Sequence, residues 1–181
     1  MIVYVHSADI YDRGRPFGRH AGMRDVVHVT IPARTPVAEI AQRVIDVVHN
    51  ERSIWLLILN GHGWAARVDI GEGLNAWNVF DLEALRPYMT PGGRGVEIHA
   101  CHVASADSVD GRPFLEVGIE FMGRLAHVLN VDVRASTYAQ VGVDENWLGL
   151  PVRGSDLEGR LEGNMLLVHP HGGGSSRPER Y

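Results

Sequence analysis

His62 lies between two glycines at the end of one apolar run, LLILNGHG (56–63), and the chain's single cysteine, Cys101, closes another, GVEIHAC (95–101). An imidazole near a thiol is a nucleophilic pair: the histidine takes the thiol proton, the thiolate attacks a carbonyl, and the imidazolium protonates the leaving group. Acyl transfer also needs donors for the developing oxyanion, and backbone N–H groups on a flexible glycine turn suit that role. Gly63 is the candidate donor, with the Cys101 N–H as a second. The flanking glycines then have a purpose, because they let the backbone approach a substrate carbonyl while the histidine faces the thiol.

Such a pair must be positioned by the elements around it. Short β-branched runs alternate with segments of helical period, the pattern of a βαβ architecture. The strands are predicted at 2–7, 26–31, 53–60, 95–101, 131–137 and 164–170. Helices are predicted at 36–50, capped by Thr35 with Pro36 in the first turn, through DLEALRPYM (81–89), and at 113–129. The segment from 61 to about 78 reads as a loop. In an open parallel sheet, catalytic groups collect beyond the carboxyl ends of the strands. A right-handed crossover between the runs ending at His62 and Cys101 would set both residues on one sheet edge.

The expected fold is therefore an α/β, three-layer α/β/α sandwich with a mostly parallel sheet. It forms one domain over residues 1–170, followed by a flexible tail, 171–181, rich in Gly, Ser and charge. The chain has 181 residues, a formal charge of −5 and no lysine. Its scattered arginines argue against nucleic acid as a partner. No apolar run approaches the roughly 20 residues that span a bilayer, and MIVYVHSADI has no features of a signal peptide. One cysteine permits no internal disulfide, and the expected location is cytoplasmic.

The order of several short motifs adds a resemblance. WLLILNGHG (55–63) and VEIHAC (96–101) resemble the motif pair of the caspase-like cysteine peptidases. The likeness is closer to bacterial caspase-like domains of unknown function in large surface proteins, and to CHAT domains. It is carried by GHG (61–63), IGEGLNAWNV (70–79), LRPYMTPGG (85–93), CHVAS (101–105), GIEFMGRLAHVLNVDVRAST (118–137) and VG (141–142), and covers residues 53–142. It implies a caspase-like fold, a His62/Cys101 dyad, and a peptide or protein substrate with no cofactor. It further implies that residues on the strands beside the cysteine shape the P1 pocket, with Glu97, Ser136 and Asp144 as candidates; a carboxylate there would favour Arg or Lys. Val103 departs from the caspase pattern, which has glycine at that place.

Two other readings stand beside this one. His62, His99, Cys101 and His102 are all metal-ligand types, although their spacing matches no common zinc pattern. Alternatively the chain is a non-catalytic binding or regulatory module on a peptidase fold. PGGRG (91–95) precedes a strand and opens no helix, so it lacks the helix N-terminus of a phosphate-binding loop.

Overall fold

The computed structural model describes residues 1–11, 25–48, 50–64, 66–101, 103–104, 108–109, 112–136, 165–172 and 174–175. Strand β1 (Ile2–Ser7) leads into a single helical turn, α1 (Ala8–Tyr11), and β2 (Val26–Ile31) is followed by α2 (Val37–Val48). Then come β3 (Leu56–Asn60), three short strands β4 (His62–Trp64), β5 (Arg67–Asp69) and β6 (Leu74–Asn75), and a 3₁₀ helix, Val79–Tyr88. Strand β7 (Gly95–His99) precedes two two-residue strands, β8 (Ser108–Val109) and β9 (Arg112–Pro113), which pair with each other before α3 (Phe114–Leu129). The described chain continues with β10 (Val133–Ser136), β11 (Met165–Val168) and β12 (Gly174–Ser175).

Seven of these strands form one sheet in the order β12-β11-β10-β7-β3-β1-β2. The five strands from β10 to β2 are parallel, while β11 runs antiparallel to β10 and β12 antiparallel to β11. The architecture is thus mixed α/β with a mostly parallel sheet. β3, at its centre, is buried along its whole length, as a strand covered on both faces should be. Gly174 and Ser175 fall in the segment that composition marks as a tail, yet they pair with Val168 and Leu167. Backbone pairing needs no apolar side chain, so composition does not register it. No described helix is long and apolar enough to cross a membrane.

One face of the sheet carries the main core. Val3, Val5, Leu57, Leu59, Val96 and Ile98 lie in register across three strands and meet the buried stripe of α2 (Val37, Ile40, Ala41, Val44, Val48) and of α3 (Phe121, Met122, Leu125). The 3₁₀ helix packs between α2 and α3 through Val79, Leu82 and Leu85. The start of α2 departs from expectation. The Thr35 hydroxyl donates to the Pro32 carbonyl instead of capping the helix, and the Glu72 carboxylate accepts the N–H of Val37 at 3.2 Å. An anion from a distant loop answers the open N–H group that the sequence assigned to a local cap.

The opposite face carries a smaller apolar cluster of Ile2, Tyr4, Leu56 and Ile58 and, towards the carboxyl ends of the strands, buried polar groups. Register places Tyr4, Ile58, Glu97 and Arg134 in one row and His6, Asn60, His99 and Ser136 in the next, towards the carboxyl ends of the strands. Asn60 Nδ2 donates to His6 Nδ1 at 3.0 Å, and His6 Nε2 meets His28 Nδ1 at 2.8 Å. The rings of Tyr4, His6 and His28 stack, with centroids about 5 Å apart. Burial, and after it the charges of His28 and His99, lowers the pKa of His6 to about 3; burial also lowers that of His28.

These histidines make stability fall with acid. Between pH 6.5 and about 3 the unfolded chain holds protons that the folded chain refuses, so folding weakens as pH drops through that window. Stability from urea unfolding at pH 4.5 should lie roughly 2–3 kcal/mol below that at pH 7 on account of His6. The His6→Gln variant, which keeps hydrogen-bonding capacity but cannot titrate, should show a correspondingly flatter profile.

Candidate functional site

The pairing of β3 with β7 runs from Leu56 opposite Gly95 to Asn60 opposite His99. His62 and Cys101 have the same sequence offset as these pairs and each follows the last of them by two residues, His62 opening β4 and Cys101 lying in a turn. Gly61 N–H donates to the His99 carbonyl at 3.3 Å, which carries the parallel pairing past the strand ends. Both residues therefore leave the sheet at the same edge, on neighbouring strands, above the row formed by His6, Asn60 and His99.

Beyond Gly61 the chain folds into a small antiparallel sheet, where the sequence suggested a loop. β4 pairs with β5, placing His62 opposite Asp69 and Trp64 opposite Arg67, and β5 pairs with β6. This hairpin is held at three places. Gly71, at φ +64°, lies against the Thr35 carbonyl with no room for a side chain. Arg34 N–H donates to the Gly71 carbonyl at 2.8 Å, and Ala66 N–H donates to the carbonyl of Val103 at 3.3 Å, just past the cysteine.

Gly63 makes the closest approach. A Cβ built there would come within 2.6 Å of the Cys101 nitrogen and 2.7 Å of Ala100 Cβ, and would also overlap the Cys101 carbonyl oxygen. Only hydrogen fits between the two backbones. On the other side, a Cβ on Gly118 of α3 would lie 2.9 Å from Ala104 Cα. The turn that carries Cys101 is thus clamped between a hairpin and a helix, each meeting it through a glycine. Cys101 itself is partly exposed.

The His62 side chain is 68% exposed, and its Nε2 lies 3.4 Å from Oδ2 of Asp9 in α1. Asp9 Oδ1 in turn accepts a hydrogen bond from the hydroxyl of Ser7, the buried last residue of β1. Because β1 is the neighbour of β3 and β3 of β7, Asp9, His62 and Cys101 follow three adjacent strand ends in that order. Asp9 escaped the sequence reading. Its local signal, SAD after a strand, looks like an ordinary turn, and its relation to His62 exists only through the pairing of β1 with β3. Trp64, 65% exposed on the same strand as His62, adds an apolar surface beside the imidazole.

Of the residues expected to shape a P1 pocket, Glu97 and Ser136 lie on the neighbouring strands β7 and β10. Glu97 is 3% exposed, with one carboxylate oxygen bonded by Arg94 Nε and the other 3.3 Å from His99 Nε2. Burial alone would raise its pKa; the hydrogen bond and charge of His99, together with those of Arg94, outweigh this and draw it down to about 2. Its charge is therefore matched within the chain. Ser136 is buried on β10 and follows the register to His99, one strand beyond the cysteine. Asp144 lies outside the described residues, as does His102. Among the described residues no three His, Cys, Asp or Glu side chains gather as a metal site would require.

No protein-family model matches the chain, and comparisons with curated proteins and with solved structures give no match.

The contact at Gly63 has a measurable consequence. Gly63→Ala should destabilise the protein by about 1–3 kcal/mol through overpacking against the Cys101 backbone. It should also change the rate at which iodoacetamide modifies Cys101, measured by mass spectrometry at fixed pH. Gly92→Ala is a poor control because Gly92 has positive φ; Gly123→Ala, on α3 with its nearest contact at 4.0 Å, should leave that rate unchanged.

Proposed function

We propose that this chain is a cysteine hydrolase of peptide bonds, a peptidase of caspase-like type with a three-layer α/β/α fold, using Cys101 as nucleophile and His62 as general acid and base. One observation carries the reading. His62 and Cys101 each follow by two residues the last pair of two adjacent parallel strands, at their carboxyl ends, and the Gly63 backbone lies against that of Cys101. Edges of this kind are where parallel α/β sheets gather catalytic groups.

In the reaction, the Cys101 thiol passes its proton to the imidazole of His62. The thiolate sulfur bonds to the carbonyl carbon, and the carbonyl electron pair moves to oxygen. The N–H groups of Gly63 and Cys101 are the donors for that oxyanion. As the C–N bond breaks, the imidazolium gives its proton to the departing amine, leaving a thioester on Cys101. Water then attacks the thioester, His62 removes its proton, and the acid product leaves with return of the thiol. The exposed face of Trp64 offers an apolar contact for the peptide. With the charge of Glu97 already matched by Arg94 and His99, P1 choice falls to the other groups at this edge.

The test is the rate of Cys101 alkylation by iodoacetamide at neutral pH, followed by cleavage of a mixed peptide library. Replacing His62 by Ala should slow alkylation at least ~10-fold, since general-base assistance is typically worth that much or more, and Cys101→Ala should abolish library cleavage. Equal alkylation rates with and without His62, and no cleavage by the native protein, would favour a non-catalytic module.

A further inference from the structure

A histidine that serves a thiol needs its other ring nitrogen occupied, so that one tautomer and one ring orientation dominate. In this chain, Nε2 of His62 is the nitrogen turned to a carboxylate, 3.4 Å from Asp9 Oδ2. The remaining ring nitrogen, Nδ1, is then the one able to accept the thiol proton. Asp9 is itself fixed, because its other oxygen takes the hydroxyl proton of Ser7, and Ser7 is only 7% exposed. A second carboxylate, Asp69, faces His62 across the hairpin, but Arg67 Nε binds its Oδ1 at 2.6 Å. Among the described residues the two acids near the imidazole are thus differently engaged: Asp69 is paired with Arg67, whereas Asp9 meets the hydroxyl of Ser7 and the imidazole of His62.

We infer that Asp9, fixed by Ser7, is the positioning residue that holds His62 in its Nε2–H tautomer with Nδ1 turned to Cys101. The role in catalysis rests on the hydrolase reading, whereas the tautomer assignment does not. When His62 takes the thiol proton on Nδ1, the imidazolium keeps its Nε2–H turned to Asp9, and the carboxylate stabilises the new positive charge. Asp9 exchanges no proton in this step. The topology makes the arrangement possible: β1 lies beside β3, their register runs to His6 opposite Asn60, and the first turn after β1 brings Asp9 to His62. The 3.4 Å separation is longer than a good hydrogen bond, as resting catalytic contacts often are before substrate binds.

The experiment combines two readouts on the full chain. In ¹⁵N-labelled protein, the side-chain nitrogen shifts of His62, assigned by their loss in His62→Ala, report which ring nitrogen carries the proton. In parallel, iodoacetamide modification of Cys101 is timed at pH 7. The native protein should show His62 as the Nε2–H tautomer. Asp9→Asn should shift it towards a mixed or Nδ1–H population and slow alkylation at least ~10-fold, the scale on which partners that orient a histidine act elsewhere. Asp9→Glu should restore part of both signals. Ser7→Ala should move both in the same direction by a smaller amount, and it serves as the test if Asp9→Asn does not fold.

An unchanged tautomer in Asp9→Asn and Ser7→Ala would overturn the inference. So would a changed tautomer with an unchanged alkylation rate, provided the native thiol depends on His62. If the native thiol ignores His62 while the tautomer still follows Asp9, the hydrolase reading fails and the assignment of Asp9 as the group that orients His62 is upheld.

Discussion

The parallel pairing of β3 with β7 holds one offset from Leu56–Gly95 to Asn60–His99, and that offset also separates His62 from Cys101. A register slip of one residue would turn every side chain of β3 to the opposite face. Leu57 and Leu59 would leave the helical core, and Ile58 would leave the polar row. Asn60 and His99, polar residues paired on the face away from the helices, mark this register, and it brings the carboxyl ends of β3 and β7 to one edge of the sheet.

The face beneath that edge is unusual for a parallel sheet because it buries charge and imidazoles beside its small aliphatic cluster of Ile2, Leu56 and Ile58. His6, His28, Asn60, Glu97 and His99 are bonded to one another or to Arg94. Buried polar groups are tolerable only when satisfied, and these connections supply that condition. The cost is sensitivity to acid, since the folded chain keeps His6 neutral down to about pH 3 while the unfolded chain binds its proton from about pH 6.5 downward. The benefit is a rigid polar floor below the strand ends.

Much of this fold can be read from local pattern. IVYVHS and VVHVTI form strands over the residues expected, and the stripe of Val37, Ile40, Val44 and Val48 marks α2, because alternation and helical period are properties of neighbouring residues. The parallel adjacency of β3 and β7 was also accessible, through the crossover rule for parallel strands. Other features were not. β4 to β6 are two or three residues long and carry no period. Glu72 caps α2 from a loop 35 residues away, against the local expectation for Thr35. Asp9 meets His62 only because β1 enters the sheet between β2 and β3, and strand order is a property of the assembled sheet. Glu97 looked like an available carboxylate, and only its three-dimensional surroundings reveal Arg94 and His99 as its counter-charges.

The adjacency of residues 62 and 101 can be measured without any assumption about activity. Cys101 is the chain's single cysteine, so His62→Cys creates one possible intrachain disulfide. Parallel neighbours in register have the Cα separation that a disulfide requires, about 4.4–6.8 Å. Mild oxidation of His62→Cys should give a monomer with no titratable thiol and a mass lower by two hydrogens. A monomer that keeps two reactive thiols under conditions that oxidise a control dithiol would show that the two strand ends lie apart, and would contradict the site described here.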